Sequence, residues 1–313
     1  MLLRVVHETR YRYTPEVETA HHVLMLRPLD NAVQQLKRYA LTIAPLPATR
    51  HELIDSFGNS RTFVTMQTPH DTLEVTAEAI VRVNASPHSR GAGSGSAADA
   101  GLPADLAWDV VRERLRYRAG GRYDRASEFL FASPYVPRDD AFAAFALPSF
   151  TAGRPLLQAA RCLMQRIHDA VRYEPDSTEV GTPALDALRQ GKGVCQDFAH
   201  IMVACCRAMG VPARYVSGYL LTQPPPGQPR LIGSDASHAW ASVYLPGADA
   251  GIGRWFDFDP TNRRCPAEDY VTLAIGRDFL DVSPLRGVLR GGARHLLDVS
   301  VTVEPMEDFQ LTG

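Results

Sequence analysis

An α+β unit preceded by a small all-β sandwich domain is the fold that this sequence predicts, on three observations. The first 85 residues carry short alternating segments separated by turns. Residues 86–103 are dominated by Gly, Ser and Ala. Beyond them helical periodicity comes first and extended segments follow, which is the order expected of an α+β unit.

Each element has its own signal. Leu2 to Tyr13 is rich in β-branched and aromatic residues, and Tyr39 to Ile43, Arg61 to Met66 and Leu73 to Val83 alternate as strands do. Turn chemistry separates them at Pro28-Leu29-Asp30-Asn31, Pro45-Leu46-Pro47 and Asp55-Ser56-Phe57-Gly58-Asn59. The Gly/Ser/Ala stretch cannot bury a core and reads as a flexible linker. The expected organisation is therefore a β-rich domain over residues 1–85, a linker over 86–103 and an α+β domain over 104–313. In the last, Ala104 to Tyr117 is helical in pattern. Pro155 to Val171 repeats apolar residues at Leu156, Ala160, Leu163, Ile167 and Val171. Cys195 to Met209 forms a third helix, stopped by Gly210 and Pro212. Ala213 to Leu221, His238 to Leu245, Arg254 to Asp259 and Leu296 to Val303 read as strands.

Bulk properties narrow the function. The chain has 313 residues, 45% hydrophobic and 22% charged, as in ordinary globular proteins. A net charge of -2 gives no reason to expect nucleic acid as a partner. No run approaches the roughly 18 apolar residues of a membrane span, and Met1-Leu2-Leu3-Arg4 lacks the apolar core of a signal peptide. Five cysteines, at 162, 195, 205, 206 and 265, show neither a disulfide framework nor a Cys-x-x-Cys pair. A reducing cytoplasm is the expected home, with thiols free to act.

One thiol stands apart. Cys195 follows Gly191-Lys192-Gly193-Val194 and opens a helix whose stripe is Cys195, Phe198, Ala199, Met202, Cys205, Cys206 and Met209. At that end the unpaired N–H groups and the helix dipole favour an anion. A thiol pKa of about 8.5 can fall there to roughly 3.5–7.5, and the same N–H groups can hold an oxyanion. Cys205 and Cys206 lie mid-helix without this help and read as core.

A thiol nucleophile needs a base, and the base needs an orienting group. Ser237 to Leu245 alternates, with His238, Trp240, Ser242 and Tyr244 on one face; Arg254 to Asp259 returns after a Pro/Gly-rich turn. If Leu245 lies opposite Arg254, Trp240 faces Asp259 and His238 faces Thr261. His238 and Asp259 are then diagonal neighbours, about 7–8 Å apart, within reach of a His–carboxylate bond. Asp257, one step further, is the less favoured carboxylate.

Four motifs in order now resemble a known family. Gly193-Val194-Cys195-Gln196-Asp197-Phe198-Ala199-His200, Gly210-Val211-Pro212-Ala213-Arg214-Tyr215, Ser237-His238-Ala239-Trp240 and Asp257-Phe258-Asp259-Pro260-Thr261-Asn262 resemble the bacterial transglutaminase-like proteins. His7 to Tyr13, Asp55 to Asn59 and Pro69-His70 resemble the β-rich domain that often precedes their core. The resemblance implies a papain-like α+β core and a Cys195, His238, Asp259 triad, with no cofactor and no metal. It also implies thiolate attack on the carbonyl of a peptide or protein amide.

Hydrolysis of a peptide or isopeptide bond through a thioester is the expected reaction. Amine transfer by a protein-glutamine transglutaminase and a non-catalytic binding module are the alternatives; a metalloprotein using Cys195, His200 and His238 is a weaker one. Gln190 and Tyr173 are candidates for a side-chain oxyanion donor, although each reads as structural. Asp197 suits the dipole of the first helical turn but opposes a thiolate. His200, off the Cys195 stripe, reads as a supporting or surface residue.

Overall fold

The first strand, β1 (Leu2–Leu24), is the spine of the N-terminal half. Its sequence alternates as a half-buried strand must: Leu3, Val5, His7 and Thr9 are buried, while Glu8 and Arg10 are exposed. The computed structural model describes residues 1–84, 105–121, 123–222, 237–247, 253–292 and 294–307; the predicted linker lies outside them. β2 (Gln34–Ala44), β3 (Thr49–Ile54), β4 (Ser60–Met66) and β5 (His70–Val83) complete the N-terminal strands. They join antiparallel in the order β2-β5-β1-β4-β3. Their core includes Val17, Leu24, Val64, Met66, Leu73 and Val75.

From residue 105 onward come α1 (Trp108–Leu115), α2 (Asp140–Ala146), α3 (Leu156–Ala170), β6 (Arg172–Tyr173), α4 (Ala184–Gln190), β7 (Lys192–Gly193) and α5 (Cys195–Ala208). A four-stranded sheet follows, built from β8 (Ala213–Leu220), β9 (Ser237–Leu245), β10 (Arg254–Phe258) and β11 (Tyr270–Gly276) in the order β10-β9-β8-β11. α5 is buried from Asp197 to Arg207, not along one stripe only. It runs between α2, α3 and α4 on one side and β8 and β9 on the other, and a helix apolar around most of its circumference belongs in such a place.

The C-terminal strands depart from the expected domain organisation. After a short α6 (Phe279–Val282), β12 (Leu285–Gly291) and β13 (Arg294–Met306) pair with β1, making the N-terminal sheet seven-stranded. Residues 2–14 of β1 lie beside β13 and residues 17–24 beside β12. Residues 104–313 thus do not form one self-contained α+β unit. The alternation of Leu296 to Val303 marked a strand but carried no information on its partner, which lies almost the whole chain away.

The two sheets share a core in which Leu3, Val5, Val81, Val301 and Val303 meet Tyr219, Val271 and Leu273. His7 adds a polar contact, with Nδ1 2.9 Å from the Tyr219 hydroxyl. β11 is the sheet edge nearest the N-terminal domain, and two carboxamides cap it. Gln34 Nε2 donates to Thr272 O at 2.8 Å, and Thr272 N–H donates back to Gln34 Oε1 at 2.7 Å. Asn59 repeats the exchange with Ile275, at 2.7 and 2.8 Å. Edge groups that would otherwise be left unpaired are satisfied in this way.

Candidate active site

Cys195 occupies the first turn of α5 because of the four residues before it. Gly191 closes α4 in the left-handed region, with φ of 63°, where glycine alone carries no steric cost. β7 then pairs in parallel with β6, setting Tyr173 beside Gly193. The chain turns into α5 at Val194, whose N–H donates to Asp197 Oδ2 at 2.8 Å. Thr178 Oγ1 donates to the same oxygen at 2.7 Å. Burial lifts the Asp197 carboxyl above its ordinary range, against those two hydrogen bonds. The charge that opposes a thiolate is therefore engaged by the helix start itself.

Gly193 is needed for this turn. A Cβ there would lie 2.6 Å from Asp197 Oδ2 and 2.7 Å from Asp197 Cβ. Gly193→Ala is expected to push the carboxylate off Val194 and cost about 1–3 kcal/mol, read as a lowered midpoint in urea. An unchanged midpoint would mean that Asp197 does not hold the turn.

The half-buried Cys195 has its sulfur 3.9 Å from Ser237 O. The next residue, His238, is the second of β9 and is buried. β10 pairs with β9 in the register read from the sequence, Arg254 opposite Leu245 and Phe258 opposite Ala241. Asp259 follows, fully buried, in a loop closed by backbone hydrogen bonds in both directions with Arg264. His238 Nε2 lies 2.7 Å from Asp259 Oδ2. The Cys195 sulfur, beside the carbonyl of the preceding Ser237, acts on the His238 ring electrostatically; with Nε2 on the carboxylate, Nδ1 is the ring nitrogen left for it. The three predicted residues are therefore brought together.

Asp259 is also a turn residue. Its Oδ1 accepts the N–H groups of Thr261 (2.9 Å) and Asn262 (3.2 Å), an Asx turn around Pro260. Oδ2 accepts Asn262 Nδ2 at 2.8 Å and the Tyr270 hydroxyl at 2.7 Å. From behind, His168 Nδ1 lies 3.2 and 3.1 Å from the carbonyls of Pro260 and Thr261. Burial would raise the Asp259 pKa, but the hydrogen bonds and the His238 charge hold it below the ordinary range. For His238 burial works in the lowering direction; Asp259 and Cys195 outweigh it and push its pKa up to about 10. The electrostatics thus favour a carboxylate and an imidazolium side by side.

The other candidates fall elsewhere. Asp257 faces Ser242 across the hairpin, with the Arg214 charge nearby. Gln190 ends α4 and is exposed. Tyr173 is half-exposed; burial and then the Cys195 charge raise its phenol pKa. His200 is not a surface residue: it is fully buried between Tyr135 and Tyr215, and its Nε2 accepts Phe279 N–H at 3.1 Å. Among the described residues no group of three or more His, Cys, Asp or Glu is placed to hold a metal ion. Asn262, Tyr270 and His168 were not singled out from the sequence. Only Asn262 had a readable signal there, in the Asx-turn chemistry of Asp-Pro-Thr-Asn.

Known proteins share this architecture. The transglutaminase-like superfamily core matches residues 143–260, and the bacterial transglutaminase-like N-terminal region matches residues 3–82. An uncharacterized protein of Mycobacterium tuberculosis is 38% identical over 305 residues, covering 97% of this chain and 93% of its own length. One of Mycobacterium leprae is 30% identical over 308 residues, covering 96% and 98%. Among solved structures, a candidate cysteine protease from Cytophaga hutchinsonii superposes with a TM-score of 0.71. It has 19% identity over 98% of this chain and 91% of that one, a likeness of fold. With both family regions matched in order and relatives aligned along nearly its whole length, this chain belongs to the transglutaminase-like superfamily.

Proposed function

We propose that this protein is a cysteine hydrolase that cleaves a peptide, isopeptide or other amide bond through a thioester. The observation that carries the reading is the buried His238, bonded to Asp259 at 2.7 Å through Nε2, with the Cys195 sulfur 3.9 Å from the carbonyl of the adjoining Ser237. Cys195 is the nucleophile, His238 the proton carrier and Asp259 the group that orients it. The Cys195 thiolate attacks the amide carbonyl, and the backbone N–H groups at the start of α5 receive the oxyanion. Imidazolium His238 gives its proton to the leaving amine as the C–N bond breaks, leaving a thioester. The neutral ring then takes a proton from water, whose oxygen attacks the thioester; the acid departs and the thiolate returns. Of the two side-chain candidates for the oxyanion, Tyr173 is the one whose strand pairs beside Gly193, two residues before Cys195. A reducing compartment such as the cytoplasm, in which Cys195 stays a thiol, fits this chemistry.

Incubation with quenched peptide substrates, and with a glutamine peptide plus a labelled primary amine, tests the reaction. The expected result is release of free acid, with an acyl adduct on Cys195 in intact-mass spectra. Amine incorporation without free acid would replace the hydrolase by a transferase. If iodoacetamide labels Cys195 no faster than the buried Cys205, the chain is a binding module instead.

A further inference from the structure

Asp259 Oδ2 takes three side-chain donors, and they are not equivalent. His238 is the group to be oriented, and Asn262 belongs to the same turn as Asp259 and moves with it. Tyr270 is independent of both. It opens β11, separated from β10 by β9 and β8, and its hydroxyl donates to Oδ2 at 2.7 Å. The direction of that proton is fixed, because Arg264 Nε donates to the same hydroxyl oxygen at 3.0 Å. The Arg264 guanidinium also lies over the Tyr270 ring, 4.6 Å from its centroid, and is paired with Asp269. The ring itself packs beside His238 at 5.9 Å and edge-on to Trp240 at 5.4 Å. Two and five residues further along β11, Gln34 of β2 and Asn59 of the turn between β3 and β4 clamp the backbone at Thr272 and Ile275.

We propose that Tyr270 is a positioning residue that holds the Asp259 carboxylate toward His238, and that the N-terminal sheet acts on the site by holding the strand that carries Tyr270. The inference deepens the triad reading and rests on it. Without the hydroxyl, Oδ2 loses its one side-chain donor that lies outside the Asp259 turn and the hairpin. The carboxylate then swings, and the imidazolium loses part of its partner.

Tyr270→Phe removes one oxygen and keeps the ring packing. The expected result is a fall of about one unit in the His238 pKa by NMR titration of the full chain carrying Cys195→Ala. In the chain with Cys195, kcat should drop about tenfold, the equivalent of one such unit, with KM unchanged. Gln34→Ala should lower the His238 pKa in the same direction by a smaller amount. A His238 pKa that does not move in Tyr270→Phe overturns the positioning role, whatever happens to kcat. One that moves in Tyr270→Phe but not in folded Gln34→Ala overturns the part assigned to the N-terminal sheet. The titration needs no substrate, so failure to find amide turnover would count against the hydrolase reading and leave this result to stand separately.

Discussion

Cys195→Ala and His238→Ala should each lower kcat on a confirmed amide substrate by on the order of 10⁵–10⁶, and the double variant should be no worse than either. The reason is mechanical interdependence: the sulfur without the ring lacks its proton carrier, and the ring without the sulfur has nothing to activate. Asp259→Asn should cost about 10⁴. An amide at 259 can donate to Nε2, which puts the ring proton on Nδ1, the nitrogen left facing the sulfur. The imidazole then cannot accept a proton from the thiol. The amide oxygen of Asn still accepts the Thr261 and Asn262 N–H groups that fix the turn, while the Tyr270 hydroxyl and the Asn262 side chain lose the acceptor they shared. Steady-state kinetics on the four variants, checked by circular dichroism, decide the matter; full turnover in Cys195→Ala would end the assignment.

Acid should unfold this protein more steeply than mild alkali. His7, His22 and His200 are buried, and burial lowers their pKa values to about 4, about 4 and about 3. Each stays neutral in the fold below the unfolded value of about 6.5. As pH falls from there toward 4, the unfolded chain binds up to three protons that the native chain refuses. Stability then drops by up to roughly 4 kcal/mol per pH unit, an upper bound set by linkage. His238 has the opposite sign. Its pKa is raised to about 10, so its contribution is complete below about 6.5 and is lost as pH climbs toward 10, at roughly 1.4 kcal/mol per unit at most. Urea titrations at pH 7.5, 6 and 5 should show the steep acid limb, with proton uptake on unfolding in calorimetry. A flat profile down to pH 4.5 would show that these rings are not held neutral.

The sequence revealed the parts of the site that local rules control. The hairpin register followed from one turn and one alternation, and it selected Asp259 over Asp257. The start of α5 followed from two glycines and a helical stripe. What escaped depends on partners far along the chain. His200 looked like a residue off the stripe; its acceptor role for Phe279 N–H, 79 residues away, leaves no mark on the helix pattern. β11 and β12 were not picked out as strands, and β11 lies between segments rich in charge and turn residues. Without that strand nothing placed the Tyr270 hydroxyl near a carboxylate. The pairing of β12 and β13 with β1 was invisible for the same reason.

That last pairing bears on how the protein can be dissected. Residues 3–82 and 143–260 match as separate family regions, yet the first lacks β12 and β13 of its sheet and the second lacks β11 of its own. Expressed alone, the first would leave β1 bare from Leu3 to Thr14 along the side that β13 normally covers. Such a fragment would offer its open backbone to any extended peptide, itself included. Ribosomal synthesis meets the same gap, because β1 emerges long before β13 and must wait for it before their sheet is complete.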